Sequence, residues 1–279
     1  MTVGIVTDSA CDLPQALADD LGIRIVPLTV RFGGDELVDR LDLTPAEFWA
    51  RCAASPVLPE TAAPAPGQFE QAYRSLAEAG ADSIVVVSLS QLLSGAMQSA
   101  QLAARTFAGK LTVEVVDSRS ASTGQGMIAA AAARRARDGG GPDEVSALVR
   151  DLAGRTHLWG VLDDLDHLRR GGRIGGARAL LASALAIKPI IQIRDGRVEE
   201  GGRQRTRTKA MRSLVDRVAA AGPLEALAVL HAETPDVDDF VAQLAPLAPG
   251  PLMVTDIGAV IGAHCGPGAI GVAYQTKLA

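Results

Sequence analysis

Short apolar runs alternate with amphipathic stretches along most of the chain. Residues 3–6 (VGIV) form a β-branched run that ends in the turn and cap formers Thr7, Asp8, Ser9 and Asp12. Pro14 then suits the first turn of a helix over QALADDLG, which Gly22 stops. IRIVPLTVRFG (23–33) reads as two strands, or as one strand bent at Pro27, and Thr44-Pro45 opens a helix in TPAEFWARCAAS. Four prolines in the segment from Pro56 to Phe69 predict a loop that delivers Thr61 to the start of the next helix. The chain then alternates regularly: strand ADSIVVVSLS, helix QLLSGAMQSAQLAARTFA, strand LTVEVVDS, helix GQGMIAAAAARRARDGG.

Near-continuous apolar strands separated by helices predict an α/β fold with a doubly wound, mostly parallel sheet in the N-terminal part. Beyond the GGGP at 139–142 a helix over DEVSALVRDLAGR is expected, and then the pattern changes. Asp195-Gly196 between alternating runs is the signal of a β-hairpin, so antiparallel pairing is expected there. The expected organisation is two domains, an N-terminal α/β domain over 1–153 and a C-terminal mixed α+β domain over 154–279.

Composition narrows the function class. Hydrophobic residues make up 48% of the chain and aromatics only 3%, so the core is expected to be aliphatic. A net charge of −5 argues against a general nucleic-acid or membrane-surface binder, and no apolar run is long enough to span a bilayer. Three cysteines without CxxC spacing signal neither a disulfide framework nor a zinc site. With no export signal at the first residues, a reduced, cytoplasmic setting is expected.

Hydroxyls gather where strands end: Thr7 and Ser9, then Ser88, Ser90 and Ser94, then Ser118. In a doubly wound sheet those ends frame the ligand crevice, although for any single one of them helix capping is the better reading, Ser and Thr being usual N-cap residues. Ser94 is followed by Gly95, which lets a ligand approach the backbone amide as well as the hydroxyl, so an anion site is the alternative to a cap. GGRIGG (171–176) lacks the strand before it and the Lys-Ser/Thr after it that a phosphate loop needs. It reads as a tight turn, with Arg173 exposed or aimed at the domain interface. The glycines around His264 would bring that histidine close to a neighbour, either as a satisfied structural group or beside a ligand. A serine hydrolase would need Ser94 as nucleophile, His264 as base and Asp8, Asp117 or Asp163 as orienter. QLLSGAM is not the G-x-S-x-G elbow, and no spacing supports the triad.

Seven stretches in order resemble the DegV family: TDSACDLP (7–14), PETAAPAPGQF (59–69), LSGAMQSA (93–100), VVDSRSASTGQG (115–126), LRRGGRI (168–174), IKPIIQIRDGRV (187–198) and GAVIGAHCGPGAIGV (258–272). The resemblance implies a bacterial fatty-acid-binding protein that carries a long-chain, palmitate-like acid in a buried pocket and presents it to a fatty acid kinase. It implies no catalytic activity of its own and no cofactor beyond the bound fatty acid; a serine hydrolase or phosphotransferase acting on acyl substrates is the alternative. By the same resemblance Thr61, Ser94 and the adjoining Gly95 hold the carboxylate, His264 lies near it, and Arg173 serves either the pocket or the kinase contact. Two hydroxyls and a histidine would clamp the head group without a fixed permanent charge, which suits a carboxylate that must later be phosphorylated. Ala62, and Ala96 with Met97, depart from the family pattern and remove supporting hydroxyl or aromatic groups, which bears on chain-length preference.

Overall fold

Alternation along each strand decides which side its residues face, and here every central strand is covered on both sides. The computed structural model describes residues 2–182 and 187–278. β1 (Val3–Asp8) leads through a 3-10 turn to α1 (Gln15–Asp20) and β2 (Arg24–Val26). β3 (Thr29–Phe32), β4 (Asp35–Val38), α2 (Pro45–Ala54), β5 (Glu60–Ala62) and α3 (Pro66–Glu78) come next. The first half ends with β6 (Ser83–Ser88), α4 (Ala96–Arg105), β7 (Thr112–Asp117), α5 (Ser122–Arg137) and α6 (Pro142–Arg155).

β2, β1, β6 and β7 form a parallel sheet in that order. Val3, Ile5, Val85 and Val87 pack with α5 and α6 on one face, and Val6, Ile84 and Val86 pack with α3 and α4 on the other. This is the doubly wound arrangement that the apolar runs predict. IRIVPLTVRFG divides at Pro27 into β2 and β3, which belong to different sheets.

The proline-rich segment is not wholly a loop. Glu60–Ala62 is a short strand that pairs antiparallel with β3, Val30 opposite Thr61. Together with β4 they make a three-stranded sheet. The prolines lie outside these three residues, so every backbone group the pairing needs is present, and an edge strand this short tolerates prolines on both flanks.

The second half builds a six-stranded sheet from β8 (Thr156–Val161), β9 (Lys188–Arg194), β10 (Arg197–Gln204), β11 (Leu224–His231), β12 (Met253–Asp256) and β13 (Ile270–Thr276), with α7 (Asp166–Arg170), α8 (Arg207–Ala220), α9 (Val237–Leu244) and α10 (Ala259–Cys265) between them. The order is β10-β9-β8-β13-β11-β12, antiparallel except for the β11–β12 edge pair. Asp195 and Gly196 both have positive φ (50° and 77°), the geometry of a two-residue hairpin turn, as the Asp-Gly dipeptide predicts.

α5 stands between the two sheets. Its residues 122–130 are all buried because β1 and β6 flank one side and β8, β11 and β13 the other. A helix enclosed all round can be neither amphipathic nor bulky, which accounts for the run of alanines after Ile128.

Candidate functional site

Between the inner face of the six-stranded sheet and the segments that follow β2, β6 and β7 lies a cavity of about 220 Å³. That is more than ten times what one buried water needs. Its walls are mainly aliphatic, with Leu28, Leu89, Leu162, Ile193 and Val260 contributed from both halves of the chain. The polar groups concentrate among Thr61, Ser94, Arg173 and His264, and Gly95 borders the same cavity. Residues far apart in sequence therefore meet at one place.

Local structure brings each of them there. β5 carries Thr61, whose Oγ1 lies 3.0 Å from His264 Nε2, on the last turns of α10. Nδ1 of the same ring is buried without a hydrogen-bond partner. It faces the Cα of Gly171 so closely that a Cβ there would come within 2.4 Å of it. An N–H aimed at that carbon would be an orphaned donor, the rarer kind of buried defect, so the proton belongs on Nε2. Nε2–H then donates to Thr61 Oγ1, and the threonine hydroxyl keeps its own proton for an acceptor in the cavity. Burial, reinforced by the charges of Arg173 and His167, lowers the His264 pKa to about 4, so the ring is neutral.

Ser94 is not the cap of α4. Gly95 takes that position, and Ser94 Oγ accepts from the Ala96 amide at 3.2 Å. The bond uses an oxygen lone pair and leaves the hydroxyl proton free to donate. The start of α4 adds partial positive charge beside it. Arg173 reaches across from the turn after α7, donating from Nε to the Leu93 carbonyl (3.1 Å) and from Nη1 to that of Gly171 (2.6 Å). The polar end thus includes a permanent charge beside the two hydroxyls and the imidazole. Arg173 points at the junction between the halves, the second of the two orientations its turn allowed.

The other strand-end hydroxyls serve the backbone. Thr7 donates to the Val87 carbonyl, Ser9 accepts from the Leu28 amide, and Ser90 donates to the Gly196 carbonyl at 2.7 Å. Ser88 and Ser118 bond to carbonyls of their own loops. Among the described residues the expected triad partners do not gather around Ser94. His264 pairs with Thr61 instead, Asp8 accepts from the Ala10 and Leu89 amides, Asp117 from the Arg119 amide, and Asp163 pairs with Lys188 and Arg207.

Two supports were not singled out by the sequence. Asp12, read there only as a turn former, is buried and accepts from the Ser122 hydroxyl and, at 2.9 Å, from the Gly258 amide at the start of α10. It anchors the helix that carries His264, and burial raises its pKa to about 7. The hairpin β9–β10 supplies Ile191, Ile193 and Val198 to the wall, and its tip is tied to the first half by the Ser90–Gly196 bond and an Arg119–Asp195 ion pair. The alternation of IIQIRDGRV held the signal for the hairpin; nothing local held it for Asp12. On the outer side Thr61, Arg173 and His264 also border a second cleft, together with Glu60, His167 and Arg170.

The family model described as "uncharacterised protein, DegV family" matches residues 2–277. The chain belongs to the DegV family. A DegV domain-containing protein of Streptomyces coelicolor is 40% identical over 281 residues, covering 99% of each chain. Among solved structures, a fatty-acid-binding DegV family protein of Thermus thermophilus superposes with a TM-score of 0.91 at 34% identity, covering 99% of this chain and 100% of that one. A stearic acid-binding protein of Eubacterium ventriosum superposes with a TM-score of 0.87 at 26% identity, covering 99% and 98%. The DegV match spans all three sheets, so the cavity lies within the matched region. Among the described residues no group of side chains has the makings of a metal site, and no helix is long and apolar enough to cross a membrane.

Proposed function

We propose that this DegV protein binds one long-chain fatty acid, with the tail in the aliphatic cavity and the carboxylate at Thr61, Ser94, Gly95, His264 and Arg173. The observation that carries the reading is the arrangement of the cavity: apolar walls, with the Thr61 and Ser94 hydroxyls and the Arg173 guanidinium concentrated together. Removing ~15 methylenes from water supplies on the order of 12 kcal/mol before ordering costs. Hydrogen bonds to a charged acceptor add ~1.5–3 kcal/mol each. The fatty acids bound by the Thermus and Eubacterium proteins support the same ligand class.

In this reading the protein is a cytoplasmic carrier without catalysis of its own, and a fatty acid kinase is its partner. The outer cleft beside Thr61 and His264, with His167 and Arg170 on its rim, supports access of a phosphoryl donor to the carboxylate. We also place the division of the chain at 153/154, because the parallel sheet precedes it and all six strands of the second sheet follow it.

Extraction of the purified protein and mass spectrometry test the ligand, with a saturated or unsaturated long-chain acid expected. A lipid-free protein that takes up no palmitate overturns the reading. Thr61→Ala combined with Ser94→Ala is expected to weaken palmitate binding about a hundredfold or more, two charge-assisted bonds being lost. Palmitate-loaded protein given ATP alone is expected to form no acyl phosphate, and turnover there would favour the phosphotransferase alternative.

A further inference from the structure

The inner face of the second sheet holds a glycine that the strand itself does not need. Pairing sets Ile191 of β9, Gly160 of β8, Gly271 of β13 and Leu230 of β11 in one row across four neighbouring strands, and all four line the cavity. In the next row Ile193, Leu158 and Ala273 stand at the corresponding places, so the floor is filled at β8 there. Only at the glycine row do two adjacent strands present bare backbone between apolar walls. With strands ~4.8 Å apart, the gap between Ile191 and Leu230 accommodates a polymethylene chain lying on the sheet.

The two glycines differ in what requires them. A Cβ at Gly271 would fall 2.3 Å from the Trp159 carbonyl oxygen on the paired strand β8, so the neighbouring backbone itself excludes a side chain. Gly160 has no positive φ, and a Cβ there would meet nothing nearer than the Ile191 Cγ1 at 3.7 Å, an ordinary contact. Glycine within a strand weakens it, through backbone entropy and the absence of a side chain to pack. Neither strain nor crowding offsets that at 160, which leaves the space above it as the reason.

We propose that Gly160 and Gly271 form a trough in which the acyl chain crosses the second sheet, and that the missing side chain at 160 sets the chain length the cavity accepts. This rests on the fatty-acid reading above. Chain atoms in the trough would contact backbone where a side chain otherwise stands, and each methylene displaced by a new side chain would lose its burial.

The test measures affinities for octanoate, decanoate, palmitate and stearate in delipidated wild type, Gly160→Ala and Gly160→Val. The expected result is a loss that grows with chain length: about tenfold or more for palmitate in Gly160→Val, less in Gly160→Ala, and least for octanoate in both. Since alanine fits and valine favours strands, the ligand-free variants are expected to melt at or above the wild-type temperature. Palmitate affinity unchanged in a Gly160→Val protein that melts like the wild type overturns the trough, as does an equal loss at every chain length. Wild-type protein that binds none of the acids overturns the fatty-acid reading, and the trough with it. If the valine variant does not fold, the alanine variant decides by the same criterion.

Discussion

The two faces of the second sheet are made from the same strands, yet one is solid and the other is hollow. Along β13 the residues alternate Ile270, Gly271, Val272, Ala273, Tyr274. The large ones join Val161, Ile190 and Val229 against α8 and α9 in a closed core; of the small ones, on the opposite face, Gly271 lines the cavity and Ala273 packs in the core beside it. Composition is apolar on both faces, so hydrophobicity does not distinguish a closed core from a cavity wall. Side-chain volume at alternate positions does, together with the few polar groups admitted at one place.

The sharpest way to break the comparison is to damage the solid face. Phe240→Ala, beneath the outer face and fully buried, is expected to cost about 3–5 kcal/mol in urea unfolding while leaving palmitate affinity of the folded fraction unchanged. A parallel loss of affinity would mean that the faces are not independent.

A smaller effect reports on the support of the hollow face through pH. Burial raises the folded-state pKa of Asp12 to about 7 and that of Asp8 to about 6, both above the ordinary 3.8. Between those limits the folded protein holds more protons than the unfolded chain, so their contribution to stability falls as pH rises, from about 4 to about 7 for Asp12. His264, lowered to about 4, runs in the opposite sense and adds stability as pH rises from about 4 to 6.5. Asp12→Asn is therefore expected to flatten the decline in thermal stability between pH 5 and 8 relative to wild type. An unchanged slope would remove Asp12 from the account.

The smallest effects concern the ties at the hairpin tip. Ser90→Ala loses a buried bond to the Gly196 carbonyl and is expected to cost about 1 kcal/mol or somewhat more. Arg119→Ala removes only an exposed ion pair and is expected to change stability by less than about 1 kcal/mol. Denaturant midpoints of the two variants check the order, and a reversed order would make the outer tie the stronger.

Much of the framework was legible in the sequence because its signals are local. Apolar runs marked β1, β6 and β7, Thr44-Pro45 marked α2, and Asp195-Gly196 marked the hairpin. β5 was hidden, since three residues between prolines carry no periodicity and the strand exists only because β3 offers it an edge. The site was less legible still. Thr61 and His264 are 203 positions apart, and their contact depends on how β5 and α10 are packed. The resemblance named these residues, whereas spacing alone left His264 between a structural and a ligand-facing role. The bond to Thr61 gives His264 a structural partner at the edge of the cavity. Ser94 was assigned the right neighbourhood but not the right geometry: its hydroxyl serves the amide two residues on, one step away from a true cap.

α5 has a further consequence. It is covered on one side by strands encoded before it and on the other by strands encoded after it, and it ends at the exposed Asp138-Gly139 turn that leads to α6. A protease that cuts at that turn severs the peptide but frees neither piece, because each fragment retains a surface that only the other one covers. Separately expressed fragments broken there would each lack part of their own interior, and would have to find one another before either could become stable.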